Sequence, residues 1–360
     1  MKKIFLLLFI IAFSVNKTNA QGCVAIKSNG GYCTMAAHNH EMKDSIPWTL
    51  SINDRFYRSY KHFVGTVEQK QRVDQGTQVV NHANTTDFNL SRSLKKGWSL
   101  AIDVPILENS RSSLYEHGGK SRHSTNSFGL GDIRLAAYKW IIDPAKAGKA
   151  NLQLGFGLKL PTGDYKYLDR FYVNDSTSIV GPVDQSIQLG DGGLGFTTEL
   201  NTYFNITRNL SLYGNFYYLF NPREQNGTST ARGGVPSAAT MRNGSDIMSV
   251  PDQYMMRAGL NYSSKNFTFS GGIREERLPA TDLIGGSNGF RRPGYIVSIE
   301  PGLSYRFKKM EIYSFIPFAV KRNRLQSVPD KLRTNLTGVY TQGDAAFADY
   351  AVNIGLNFKF

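Results

Sequence analysis

The sequence ends in Tyr350-Ala-Val-Asn-Ile-Gly-Leu-Asn-Phe-Lys-Phe360, in which every second residue is apolar or aromatic and the residues between are small or polar. Successive side chains of a β-strand point to opposite faces, so this stretch predicts a strand with one apolar and one polar face. That pairing is typical of a membrane barrel wall, where one face meets lipid and the other a wet lumen.

The same alternation recurs along the chain, for example from Trp98 to Ile106 and from Leu152 to Leu160. Helical periodicity is hard to find by comparison. The alternating segments predict twelve strands, at approximately 48–60, 83–94, 97–107, 128–141, 150–161, 193–206, 209–220, 252–263, 266–277, 293–307, 310–321 and 348–360.

The connections between these strands alternate in length. Short turns such as Lys95-Lys96 and Thr207-Arg208 follow long polar loops such as 61–82, 162–192 and 221–251. Outer-membrane barrels combine short periplasmic turns, long outer loops and an even strand number. We therefore predict an all-β fold, a transmembrane antiparallel up-and-down β-barrel of twelve strands. A soluble sandwich has no reason for this alternation, and a propeller would show a repeat that is absent here.

The N-terminus reads as an export signal. Lys2 and Lys3 precede the apolar run 4–13, and Ala20 offers a small residue for cleavage. We expect residues 1–20 to be a signal peptide removed after Ala20, residues 21–47 a short periplasmic segment, and residues 48–360 a barrel in the bacterial outer membrane.

The only two cysteines, Cys23 and Cys33, lie in the short segment after the signal. An oxidising export route favours a local disulfide between them. Two free thiols, or half of a metal site with His38 and His40, remain alternatives.

The chain is basic, with a formal net charge of +14. Nucleic acid, lipopolysaccharide phosphates and anionic solutes all suit such a charge. The basic residues are scattered and form no helix or stripe, which argues against nucleic acid. We favour the interpretation that the basic residues form an ordinary solvated surface. Within the predicted loop 322–347, Arg322, Arg324, Lys331 and Arg333 could meet lipopolysaccharide phosphates.

Alternation places ionisable residues of both signs on the lumen face, which predicts an ion-pair network that stiffens the barrel. Cations slightly outnumber carboxylates, so a weak preference for anionic solutes follows as a hypothesis. The predicted lumen-facing residues are Asp103, Asp132, Arg134, Lys159, Glu199, Arg257, Arg274, Glu276, Glu300, Arg306 and Lys321.

Three stretches, 129–134, 158–165 and 190–193, read Gly-Leu-Gly-Asp-Ile-Arg, Leu-Lys-Leu-Pro-Thr-Gly-Asp-Tyr and Gly-Asp-Gly-Gly. Together they resemble the outer-membrane family of the MetA-pathway of phenol degradation, which includes the secretion pore for functional amyloid. The resemblance implies a twelve-stranded pore or transporter and, as its cargo, hydrophobic or aromatic compounds. Residues 21–47 show no heptads, so they do not match the plug of the amyloid-secreting member.

The second of these stretches also predicts a structure without the family resemblance. Proline has no N–H and glycine tolerates positive φ, so Pro-Thr-Gly-Asp should end a strand and open a turn. The predicted turn residues are Pro161, Thr162, Gly163 and Asp164.

The His-x-Ser signature of an outer-membrane hydrolase is missing. The single Gly-x-Ser-x-Gly match, 285–289, lies in a predicted loop, and all six histidines lie in the N-terminal segment or the first two outer loops. We predict a channel or transporter for small solutes with no catalytic residues, cofactor or metal. The alternatives are a structural or surface-recognition barrel without an open pore and, last, an outer-membrane hydrolase. Predicted partners are outer-membrane lipid and lipopolysaccharide, the solute, and the barrel-assembly machinery, which reads terminal aromatic residues such as Phe360.

Overall fold

The computed structural model describes residues 48–174, 176–233 and 235–360. The predicted signal peptide, the Cys23/Cys33 pair and the histidines at 38 and 40 lie outside the described residues.

The described residues form nineteen strands and three short α-helices. Helix α1 is Gln71–Asp74, α2 is Ala238–Arg242 and α3 is Val328–Thr337. None of the described helices has the length and apolar character needed to cross a membrane. The strands are β1 Trp48–Val64, β2 Val67–Glu68, β3 Val80–Ser93, β4 Trp98–Ser113, β5 His123–Leu130, β6 Arg134–Trp140, β7 Ala150–Lys159, β8 Leu168–Tyr172, β9 Ser178–Pro182, β10 Gly195–Asn205, β11 Leu210–Phe220, β12 Gln225–Ser229, β13 Ile247–Ser249, β14 Gln253–Ser264, β15 Phe267–Leu278, β16 Gly294–Arg306, β17 Met310–Phe315, β18 Phe318–Arg324 and β19 Ala345–Lys359.

One antiparallel sheet closes on itself to form the barrel. Its order runs from β1 through β3, β4, β6, β7, β10, β11, β14, β15 and β16 to β18, β17 and β19, and β19 pairs back with β1 from Thr49↔Lys359 to Phe63↔Ala345. Because β5 with β6 and β17 with β18 each make one wall strand, the wall has twelve strands. The predicted fold class is confirmed. Closure pairs the first wall strand with the last, as a bilayer requires.

Two wall strands are broken, whereas the sequence predicted continuous strands at 128–141 and 310–321. The first break, at 131–133, brings Gly131 so close to β4 that an added Cβ would lie 2.5 Å from Leu107 Cδ1. The second falls at 316–317, where Pro317 lacks the N–H that a ladder bond needs. Above this break, β18 and β19 pair only at Phe318↔Tyr350.

Several wall strands extend further toward the long loops than predicted. β1 continues to Val64 and β4 to Ser113, while β3 begins at Val80 and β5 at His123. In these extensions apolar and polar residues no longer alternate clearly, because the strands rise beyond the region where one face meets lipid.

The two faces of the wall differ in character. Apolar side chains are exposed on the outside, for example Phe156 at 63% and Ile273 at 60%. Polar and charged side chains fill the inside, where Arg55 is 2% exposed and Glu276 1%. This arrangement is the reverse of a soluble core and is that of a transmembrane barrel.

Candidate functional site: the charged lumen

An ion pair crosses the interior of the barrel. Arg55 stands on β1 and Glu276 on β15, with β19, the β17/β18 strand and β16 between them around the wall. Arg55 Nη2 donates to Glu276 Oε1 at 2.8 Å and to Oε2 at 3.2 Å. The contact therefore joins two distant parts of the wall through the interior.

The bridge continues along the wall as alternating charges. Arg274 donates to Glu276 at 2.7 Å and to Glu300 at 3.1 Å. Arg257 Nε donates to Glu300 Oε1 at 2.8 Å, and its guanidinium carbon lies 4.7 Å from the ring centre of Phe315. Removing one partner from such a buried pair leaves the other charge uncompensated, so these residues depend on one another.

A second cluster occupies the wall around β6. Arg134 makes ion pairs with Asp103 of β4 and Glu199 of β10. The Tyr138 hydroxyl donates to Glu199 Oε1 at 3.0 Å, and the Tyr217 ring centre lies 5.9 Å from the Arg134 guanidinium carbon. This side of the lumen thus also carries paired charges of both signs.

A third cluster holds the base of the long loop 160–194. Lys159, the last residue of β7, makes ion pairs with Asp132 at 3.2 Å and with Asp191, and donates to Gly193 O at 2.9 Å. Asp132 lies in the break between β5 and β6, so the break and the loop are fastened at one point.

The predicted turn after β7 meets the same break. Gly163 N donates to Asp132 Oδ1 at 3.0 Å, and the Thr162 hydroxyl donates to Gly131 O at 2.8 Å. Ile133 N donates in turn to Thr162 Oγ1 at 2.8 Å. Thr162 and Gly163 thus bond to the wall, as we expect for residues of a structural turn.

Segment 183–189 of the same loop folds inward across the outer mouth. Val183 and Ile187 are fully buried. Asp184 accepts from Arg292 at 2.9 and 2.7 Å, and lies 3.5 Å from Arg111 of β4. We call these three residues the Asp184 latch. Because Arg292 lies two residues before β16, the latch fastens the segment to two well-separated parts of the barrel.

The Asp184 carboxylate is charged in this setting. Burial alone would raise its pKa, but the guanidinium groups of Arg111 and Arg292 and the Ser186 backbone N–H hold the pKa well below its usual range. The latch is therefore an interaction between full charges throughout the neutral pH range.

Loop 114–122 secures Arg111 from the other side. Glu116 accepts from Arg111 Nη2 at 2.7 Å and from Arg232 Nη2 at 2.9 Å. The neighbouring His117 is 2% exposed, lies 5.6 Å centre to centre from the Phe171 ring, and accepts from Tyr172 N at 3.2 Å. Burial lowers the pKa of His117 below its ordinary value.

The structure brings most of the predicted lumen residues into these clusters. Arg306 lies half-buried at the opposite end, near the periplasmic turns. The residues found in ion pairs are Asp103, Asp132, Arg134, Lys159, Glu199, Arg257, Arg274, Glu276 and Glu300.

The prediction for Lys321 was wrong, because this residue lies on the outer face. Lys321 pairs with outward-facing Val297, whereas Ala319 pairs with buried Ser298. Directly paired residues share a face, so Val320 is an extra residue that shifts the alternation. Such a β-bulge is not visible in the sequence pattern.

Two of the four basic residues expected to face lipopolysaccharide are not available there. β18 continues to Arg324, which is 3% exposed and donates to Asp330 at 3.2 Å. Arg322 is partly buried and lies 5.3 Å from the Phe63 ring centre. Both belong to a wall strand rather than a loop, whereas Lys331 and Arg333 of α3 are exposed.

Sequence reasoning missed Arg55, Arg111 and Asp184. Arg55 had a signal, because it alternates with Ile52, Asp54 and Phe56 and shares the face of Ser51. Arg111 and Asp184 lay in predicted loops, where no periodicity assigns a face. Within the described ranges, no group of three or more His, Cys, Asp or Glu side chains is placed to hold a metal ion.

Solved structures of similar fold are outer-membrane barrels. An outer membrane channel from Pseudomonas putida F1 is similar at a TM-score of 0.58 and 10% identity, over 92% of this chain and 100% of that one. A monoaromatic hydrocarbon channel has a TM-score of 0.45 at 10% identity, over 94% of this chain and 97% of that one. The toluene transporter of Ralstonia pickettii has a TM-score of 0.40 at 10% identity, over 88% of this chain and 90% of that one.

The first similarity shows a shared fold. The other two have TM-scores below 0.5, and we draw no conclusion from them. No protein-family model matches the chain, and no curated protein matches it. The resemblance of residues 129–193 to the MetA-pathway family stays a prediction.

Proposed function

We propose that the protein is an outer-membrane channel for small solutes. The observation that carries the proposal is the lumen itself, which is lined by paired charges and crossed by the Arg55–Glu276 contact. Ionisable groups inside a membrane are costly and are typical of solute or ion pathways. A barrel that served only as a scaffold would be as stable with an apolar filling.

Few contacts close the lumen. Between the wall strands the closure is the contact of the Arg55 and Glu276 side-chain ends, and at the outer mouth it is segment 183–189, fastened by the Asp184 latch. Side chains and loops move far faster than a wall strand can be remade. A path through the lumen therefore requires no change in the wall.

The inner face also offers surfaces suited to small aromatic solutes. Tyr138, Tyr213 and Tyr217 face inward and are buried. A tyrosine ring combines an apolar face with a hydroxyl group, which suits an aromatic compound carrying a polar substituent. This agrees with the cargo class implied by the sequence resemblance.

A barrel without an open pore is the second candidate, and the buried segment 183–189 favours it. Purified, refolded protein in planar bilayers and in liposomes separates the two. We expect discrete conductance steps and liposome swelling with solutes of graded size. Absence of both conductance and swelling would favour the closed barrel.

Export and assembly have their own tests. Signal cleavage after Ala20 predicts that N-terminal sequencing of the exported protein begins at Gln21. Recognition of the terminal aromatic residue by the assembly machinery predicts that deleting Phe360 lowers the amount of barrel in the outer membrane without affecting export.

A further inference from the structure

A group of aromatic and basic side chains lies on the outward face at the loop end of β14, β15, β16 and β18. Arg277 pairs directly with Tyr254 on one side and Tyr295 on the other. Lys321 lies on the same outward face of β18. We call Tyr254, Arg277, Tyr295 and Lys321 the outer patch.

The outer patch lies at the height of a membrane interface. Below it the same face is apolar, with Met256, Ile273 and Ile299 exposed. At the other end of the strand stands Phe267, ten residues before Arg277. Ten residues at about 3.3 Å each, tilted by about 40°, rise about 25 Å, which is the height of the apolar band of an outer-membrane barrel. Arg277 therefore lies where the outer leaflet begins its polar headgroups.

The cations of the outer patch are held in place by aromatic rings. The Arg277 guanidinium carbon lies 5.2 Å from the Tyr295 ring centre and 5.8 Å from that of Tyr254, and Arg277 Nη1 donates to Tyr254 Oη at 2.9 Å. Lys321 Nζ lies 5.6 Å from the Tyr295 ring centre. Such contacts order a cation without neutralising it.

These cations also differ from those inside the barrel in their partners. Inside, Arg274 touches two carboxylates within hydrogen-bond distance. On the outer patch the facing carboxylate is Glu275, whose Oε1 lies 3.9 Å from Arg277 Nη1. Among the described residues Lys321 has no carboxylate within 4.0 Å, and the Arg277 side chain is 34% exposed. The outer patch thus presents ordered positive charge at the lipid interface.

We propose that the outer patch binds a phosphate group of the lipopolysaccharide headgroup in the outer leaflet. The guanidinium supplies a planar pair of donors suited to phosphate oxygens, and the ammonium supplies a second charge from the neighbouring part of the wall. The tyrosine rings place their hydroxyl ends at the same level, as aromatic belts do at an interface. The site is independent of the lumen, so it holds whether or not the barrel conducts.

The test compares binding of three lipids to the full-length protein in detergent by native mass spectrometry: bis-phosphorylated lipopolysaccharide, its enzymatically dephosphorylated form, and phosphatidylglycerol. The first should bind most tightly to the unmodified protein. Equal binding of the dephosphorylated form would overturn the phosphate assignment. Equal binding of phosphatidylglycerol would overturn the assignment to lipopolysaccharide.

The double variant Arg277→Gln/Lys321→Gln should bind phosphorylated lipopolysaccharide about thirtyfold more weakly, since each basic residue at a charged membrane surface contributes roughly fivefold. The matched control is Lys308→Gln/Lys309→Gln, which removes the same charge from an exposed periplasmic turn. Equal loss in both variants, or none in either, would overturn the proposal. Heat-modifiable migration on gels shows that each variant is folded, and the lipid comparison on the unmodified protein needs no variant.

Discussion

Replacing Arg55 with alanine should open the Arg55–Glu276 closure of the lumen at a moderate cost in stability. Arg55 is one of two arginines on Glu276, and Arg274 stays in place at 2.7 Å. Leaving a buried charge wholly uncompensated costs about 3–5 kcal/mol. Because Glu276 keeps one partner, the loss should instead be close to that of one charged hydrogen-bonded contact, about 1.5–3 kcal/mol.

The conductance should rise while the stability falls. The Arg55 side chain reaches Glu276 through the interior, so removing it takes away the group that spans the lumen at that height. We expect larger single-channel steps in planar bilayers for Arg55→Ala than for the unmodified protein. Urea unfolding of the same protein in lipid vesicles measures the stability loss.

Arg257→Ala is the matched control. It also breaks a buried arginine–carboxylate contact, at 2.8 Å, but its partner Glu300 stands on β16, separated from β14 only by β15. The stability loss should be similar and the conductance change smaller. If Arg55→Ala leaves conductance unchanged, or if the two variants raise it equally, the cross-lumen contact does not set the closure.

Three further predictions concern the loops and the wall. Asp184→Asn removes the charge that holds segment 183–189, so channel openings in bilayers should become more frequent. Burial lowers the folded-state pKa of His117, so its contribution to stability is full above about pH 6.5 and is lost as the pH falls below that value. Protection of residues 114–122 against hydrogen exchange, expressed relative to the intrinsic exchange rate at each pH, should therefore be weaker at pH 5 than at pH 7.5, and His117→Gln should abolish the difference. Gly355→Ala would place a Cβ 2.1 Å from Tyr313 Cζ, so the free energy of unfolding in vesicles should fall by about 1–3 kcal/mol, while Gly271→Ala, with open space around it, should cost less.

Alternation and loop length together were enough to predict the wall. Each strand with one lipid face and one wet face carries a period of two, as in 350–360, and closure with antiparallel pairing throughout requires an even count. The same periodicity placed Glu276, Arg274 and Glu300 on the inside. Arg55, between Asp54 and Phe56, has an inward face by the same periodicity, although it was not among the predicted lumen residues.

The remaining features of the fold and of the candidate site do not appear as a periodic pattern in the sequence. The extra residue Val320 turned Lys321 outward, and a bulge is recognised only from the partner strand. The inward course of segment 183–189 is decided by long-range contacts, since Asp184 meets Arg111 and Arg292 far along the chain. Which charges pair across the lumen depends on the order of strands around the barrel, and the sequence pattern does not specify distances across it.

The bridge between Arg55 and Glu276 also bears on how the barrel is assembled. The two residues are 221 positions apart, and Arg55 belongs to the strand that remains a free edge until β19 arrives. Before that moment both groups can stay hydrated on an unclosed sheet. Once β19 docks, the strands that carry them come within reach, and each charge gains its partner as it loses water. The contact therefore forms only in a finished barrel, so a chain truncated before β19 would lack this lock as well as its last strand.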